Sequence, residues 1–197
     1  MEEKIITKII KNQDKILSNL KQKDIDKYCW IKRRFKKGGT SNDSEFQSRF
    51  KQFYRMNSAG LSNFQKRRFF ELLENEESDI KYILKELYKI PTLKKTHSIQ
   101  FFFTTKLLHT INNNKPIFDK MIGKVMDKNV EGKSKEEKIQ SCVDIYKFLD
   151  KLYSALIKNS RIKKIIFKFR IKFNANRRVI SDIKVLDFII WSFGRLE

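Results

Sequence analysis

Apolar residues recur three and four positions apart along most of the chain, a spacing that commits the backbone to amphipathic helices. Ile5, Ile6, Ile9, Ile10, Ile16, Leu17 and Leu20 stand among lysines and predict one helix over 4–20, which could pack on the body or dimerise. Phe46, Phe50, Phe53 and Tyr54 mark a second helix, broken at Gly60, and Phe64, Phe69, Phe70, Leu72 and Leu73 mark a third. Ser78 reads as the N-cap of the next, with Asp79 in its first turn and Ile80, Ile83, Leu84 and Leu87 inward. That helix must stop before Pro91. Residues 98–110 read as helix and Lys115–Phe118 as an extended link, with Asp119 as N-cap of the helix holding Ile122 and Val125. Ser134-Lys135-Glu136-Glu137 is a capping box ahead of a long helix. The last helix starts from Ser181 or Asp182 and stops at Gly194.

One stretch argues otherwise. Phe167, Phe169, Ile171 and Phe173 alternate as in a strand, whereas Ile162, Ile165, Ile166, Phe169 and Phe173 fit a helix. No partner strand is evident, so the helix is preferred. The expected fold is all-α, a multi-helix orthogonal bundle. Gly38-Gly39-Thr40-Ser41-Asn42-Asp43 is the most loop-like stretch and suggests an N-terminal amphipathic segment over 1–37 and a main helical domain over 45–197. With 40% hydrophobic residues and 17 Phe in 197 residues, a full-sized core can form.

Several classes of chemistry find no support. Cys29 and Cys142 have neither metal-ligand spacing nor the density of a disulfide scaffold, so both read as reduced thiols. There is no phosphate-binding glycine loop or Ser-His-Asp order, and no metal or cofactor is expected. His97 and His109 read as a loop residue and a core-edge residue rather than a catalytic pair. The N-terminus lacks the pattern of a signal peptide and no apolar run reaches bilayer-spanning length, so no membrane association and a cytoplasmic location are expected.

Charge supplies the functional signal. Forty-four Lys and Arg against 23 Asp and Glu give a formal charge of +21, a field that attracts phosphate backbones. A lysine-rich proteome would account for part of it. From Lys158 to Arg178, however, nine cations occur without one acid, including Arg161, Lys163, Lys164, Lys168, Arg170, Arg177 and Arg178. A helix that is merely soluble mixes both signs. A second cluster, Lys32, Arg33, Arg34, Lys36 and Lys37, lies beside Trp30 and Phe35.

The run Ile83–Thr96, the helix containing Lys106, and Lys115-Pro116-Ile117-Phe118-Asp119 together resemble the helix-hairpin-helix DNA glycosylase superfamily over residues 80–128. The resemblance implies a phosphate-gripping hairpin at 91–97, with Lys94, Lys95, Thr96 and Ser98 toward nucleic acid, Lys106 as catalytic amine and Asp119 as catalytic carboxylate. It departs from the family at the hairpin, which usually carries two glycines and here reads Thr92-Leu93-Lys94. Thr104–His109, Pro116–Asp119 and Leu186–Trp191 also resemble a family of uncharacterised bacterial proteins, which implies no activity. Three functions follow as expectations: a helical protein binding nucleic acid, with double-stranded DNA as the expected partner; a DNA glycosylase or lyase using Lys106 and Asp119; and a module for an acidic protein, with a possible homodimer through the N-terminal helix.

Overall fold

The computed structural model describes residues 2–197, and all regular structure among them is helical. The helices are α1 (Glu2–Lys11), α2 (Gln13–Asn19), α3 (Gln22–Phe35), α4 (Ser44–Phe53), α5 (Asn63–Glu74), α6 (Ile80–Lys89), α7 (Phe101–Ile111), α8 (Lys120–Met126), α9 (Lys135–Leu156), α10 (Ser160–Lys172) and α11 (Asp182–Gly194). The expected all-α bundle is what forms, and the ambiguous stretch is helix α10. No helix among the described residues is long and apolar enough to cross a membrane.

The capping chemistry sets most boundaries. Asp119 Oδ1 accepts from Met121 N and Ile122 N, Ser181 Oγ from Lys184 N, and Ser134 with Glu137 forms the reciprocal box. Three expectations are corrected. Asp79, not Ser78, caps α6, because its carboxylate reaches both Lys81 N and Tyr82 N. Asn12 interrupts the helix expected over 4–20, dividing it into α1 and α2. Gly194 is the last residue of α11 and takes no left-handed turn; it is needed for close packing, since a Cβ there would stand 2.8 Å from Met121 O of α8.

The segments 1–37 and 45–197 share one hydrophobic core, to which Ile5, Ile6, Ile9 and Ile16 contribute together with Ile165, Leu186 and Phe193. The apolar stripe of α1 is therefore buried within its own chain, where α1 packs on α9, α10 and α11. The glycine loop between the segments is fastened down. Glu74 accepts from Gly39 N, Thr40 Oγ1 and Ser41 N at 2.9, 2.7 and 3.1 Å.

Helices α7 and α11 are the most deeply buried, as expected of helices apolar on nearly every side. On α11 every residue from Ile183 to Ile190 is buried, Lys184 and Asp187 included. On α7 the buried set includes Thr104, Thr105, His109 and Thr110. Polar groups thus enter the core on its two central helices.

Gln65 fixes the approach to the 91–97 hairpin. It is fully buried; its Oε1 accepts from Ser62 N, while its Nε2 donates to Leu87 O and Ile90 O at the end of α6. One amide thus joins the start of α5 to the exit of α6. Gln65→Leu leaves those carbonyls unpaired in the interior and is expected to cost about 2–3 kcal/mol in urea unfolding.

Candidate functional site

The connection between α6 and α7 is a tight hairpin. Thr92 N donates to Thr96 O at 2.8 Å, Lys95 N to Thr92 O at 3.0 Å, and Leu93 N to Gly60 O at 3.0 Å. Lys95 itself takes the left-handed conformation, φ 58°, that a glycine would adopt at no steric cost. These N–H groups are committed within the fold, so the exposed tip offers side chains: Leu93, Lys94 and Lys95. Thr96 Oγ1 is shared with Thr92 Oγ1 at 3.0 Å, and Ser98 Oγ accepts from Gln100 Nε2 at 2.7 Å, so both hydroxyls hold the turn together.

One residue docks the extended link against α7. Thr105 Oγ1 accepts from Phe118 N at 3.0 Å, and its one proton is shared between Phe118 O and Phe102 O, each 3.1 Å away, so the hydroxyl meets both main-chain groups of the residue before Asp119. The rings of Phe101 and Phe102 pack on Phe118, with centroids 4.8 and 5.7 Å away. Lys106, the next residue on α7, is thereby brought near Asp119, whose charge acts on the Lys106 amine. Lys106 and Asp119 lie close enough for their charges to interact. They do not form an ion pair: among the described residues no carboxylate lies within 4.0 Å of the Lys106 ammonium, which rests over the Phe103 ring at 4.7 Å and the Tyr54 ring at 5.5 Å.

Burial lowers the Lys106 pKa to about 8; Asp119 and Asp187 oppose the shift and Lys184 adds to it. At neutral pH about a tenth of such amines are unprotonated and nucleophilic. Asp187, which is buried, has its pKa raised by burial against the pull of Lys184, whose Nζ donates to Asp187 Oδ2 at 2.7 Å. Asp187 Oδ1 and Tyr153 Oη are buried and have no hydrogen-bond partner among the described residues. Burial raises the Tyr153 pKa, and Asp187 and Asp119 add to it, so this hydroxyl stays protonated. Asp187 and Tyr153 are buried, whereas Lys106 and Asp119 are half-buried, and the charges of the four groups act on one another.

His109 has a structural role. Its Nδ1 lies 2.6 Å from Lys115 O, which can only accept, so Nδ1 carries the proton and Nε2 accepts from Tyr28 Oη at 2.9 Å. Burial holds its pKa well below the usual imidazole value. The Tyr28 ring lies beneath Lys184 Nζ at 4.9 Å and so links α7 to α11 through α3. His97 is bound through Nδ1 to Tyr88 O at 2.7 Å and steadies the hairpin.

The basic block divides into three. Lys163, Lys164 and Lys168 are exposed on α10 beside Phe167 and Ile171, which are 59% and 67% exposed. Arg161 is turned to Glu3, with Nη2 2.6 and 2.7 Å from the two carboxylate oxygens. Arg170 does not belong to the outward face. It is buried and binds Ala175 O, Ile180 O and Asp182, holding the loop that follows α10. Arg177 and Arg178 are exposed in that loop and border a cleft of about 730 Å³ with Lys32 and Lys36.

Lys184, Asp187, Tyr54 and Tyr153 escaped sequence reasoning. A charged pair three residues apart inside an otherwise apolar helix was the available signal for the first two. The tyrosines gave none, since their spacing is that of core residues. No family model matches the chain, and no curated protein or solved structure matches it either.

Removing the Lys106 charge separates structure from function. Its pKa in the fold, about 8, lies below the model-compound 10.5, so folding disfavours the protonated form at all pH values below that window. Lys106→Met is expected to stabilise the protein by about 2 kcal/mol at pH 7. The gain should shrink as pH rises from about 8 toward 10.5, where the unfolded lysine also loses its proton; denaturant titrations at pH 7 and pH 10 measure the difference.

Proposed function

We propose that the protein binds double-stranded DNA through its phosphates, using the lysine face of α10 and the tip of the 91–97 hairpin. The observation that supports this best is how the block 158–178 is paired. Within it only Arg161 and Arg170 meet a carboxylate, leaving Lys163, Lys164 and Lys168 free of acidic partners on one exposed face. Exposed lysines without acids raise the local potential and release counterions when they meet a polyanion. Lys94 and Lys95 offer the same chemistry at the hairpin, where Thr92 N, Leu93 N and Lys95 N are internally committed. Sequence preference should be slight, because phosphate contacts position a duplex without reading bases.

Fluorescence anisotropy with a labelled duplex across a salt series tests the proposal. Affinity should fall steeply between about 50 and 200 mM salt. Reversing Lys163, Lys164 and Lys168 to Glu together should weaken binding at least tenfold and lower the salt slope by about 2–3, with the helical circular-dichroism signal unchanged. Affinity that stays flat with salt would refute phosphate-driven binding.

A second reading adds chemistry, and the unpaired, partly buried amine of Lys106 favours it. In an abasic site the open-chain sugar presents an aldehyde at C1′. The neutral amine adds to that carbon, water leaves, and an imine links enzyme and DNA; Asp119 or Asp187 would stabilise the positive charge. Borohydride reduces the imine to a stable amine. Trapping on abasic duplex should increase from pH 7 to pH 9, as the Lys106 amine with its pKa of about 8 deprotonates, and vanish in Lys106→Gln. Asp119→Asn preserves the oxygen that caps α8. If the carboxylate only caps, trapping persists; if its charge is needed, trapping is lost while the thermal midpoint stays within about 2 °C.

A further inference from the structure

The cleft bordered by Arg177 and Arg178 differs from both surfaces just described. It lies between the end of α3, the loop after α7 and the loop before α11, is broadly open to solvent, and has a volume of about 730 Å³, in the range of small-ligand sites. The body of a duplex is too wide to enter it, whereas a single nucleotide, free or at a strand end, fits.

Its lining is chemically lopsided. Lys32, Lys36, Arg177 and Arg178 contribute four cations, while the one carboxylate, Asp182, is engaged by Arg170. The side chains of Arg177 and Arg178 make no hydrogen bond or ion pair among the described residues, so their guanidinium donors are free for an oxyanion. Arginine presents those donors in a planar fork suited to phosphate. Lys32 is buried, and its ammonium is anchored by a hydrogen bond to Thr110 O, which fixes a positive charge in the wall.

The walls are also rigid and partly apolar. Ser181 Oγ donates to Asn113 O, which ties the two loops together across the cleft, and Asn112 Oδ1 accepts from Asn114 N at 3.0 Å to hold the first loop in its turn. Arg170 braces the second loop from inside through Ala175 O and Ile180 O. Ile111 and Ile157, both half-buried, supply apolar surface. A bare inorganic anion would use the cations and leave this surface unmatched, whereas a nucleotide matches both.

We propose that this cleft binds a nucleotide unit bearing a terminal phosphate, with Arg177 and Arg178 on the phosphate and the isoleucines against the sugar and base. Such a unit has two sources: a free nucleotide, or the phosphorylated end of a DNA strand. The second rests on the DNA-binding reading above; the first does not.

Three probes distinguish the sources and the two readings. They are a nucleoside 5′-diphosphate, a duplex with a 5′-phosphate, and the same duplex with a 5′-hydroxyl, each titrated against the full chain and against Arg177→Glu/Arg178→Glu. Expected is either at least tenfold tighter binding of the phosphorylated duplex than of its hydroxyl twin, or saturable binding of the diphosphate, and loss of that preference or binding in the double variant. Lys36→Glu, a single change on the cleft rim, should reduce the same quantity about threefold to tenfold. Retention of the helical signal in both variants guards against misfolding. The proposal is overturned if the diphosphate does not bind and the duplexes bind equally, or if a phosphate effect survives the double variant. Salt-dependent binding of the hydroxyl duplex in that case leaves the DNA-binding reading standing alone; diphosphate binding without duplex binding leaves the cleft standing without it.

Discussion

The buried pair Lys184–Asp187 is the constraint around which the central helices are arranged. A helix apolar on nearly every side must lie in the core, and its two charged residues go in with it. Three residues apart, they meet at 2.7 Å on one face. A buried pair contributes little net stability, because desolvation offsets attraction, yet losing either partner strands a charge. The arrangement therefore demands neighbours that tolerate polarity: Tyr28 and Phe188 give their ring faces to the ammonium, at 4.9 and 4.3 Å. Tyr28 in turn completes the hydrogen bonds of His109. The polar interior of α7 and that of α11 are one system.

That system explains why Lys106 is unusual among so many lysines. Most of the lysines extend into water, and buried Lys32 and Lys184 have hydrogen-bond partners; here an amine without a carboxylate partner is held among Tyr54, Phe103 and the field of Lys184. Thr105 supplies the geometry by fastening Phe118 to α7, so that Asp119 caps α8 close by. The same carboxylate serves as a cap through Oδ1, which accounts for its place in the fold whether or not it takes part in chemistry.

The surface follows from how the acids are used. Asp79 and Asp119 cap helices, Asp43 caps α4 while pairing with Arg34, Glu74 holds the glycine loop, Glu137 completes a capping box and Glu86 binds Arg68 and Lys89. Carboxylates committed to backbone N–H groups leave fewer to neutralise side-chain cations. A chain of formal charge +21 therefore concentrates unpaired cations on α10, at the hairpin tip and around the cleft.

By itself the sequence determined the all-helical class, the caps at Asp119 and Ser134, the last cap as either Ser181 or Asp182, and the basic block, because periodicity, capping and composition are local properties readable within one or two turns. It also singled out Lys106 and Asp119, through resemblance rather than geometry. It misjudged Asn12, where the apolar period continues through a break, and Arg170, whose charge looked like its neighbours' but whose side chain turns inward to three partners. Only the tertiary structure decided which cations face water, that Lys106 is unpaired among aromatic rings, that Lys184 and Asp187 are buried together, and that Lys32 and Arg177, 145 positions apart, border one cleft. Those outcomes depend on helices far apart in the chain meeting in space, and desolvation and pairing are set by what meets there.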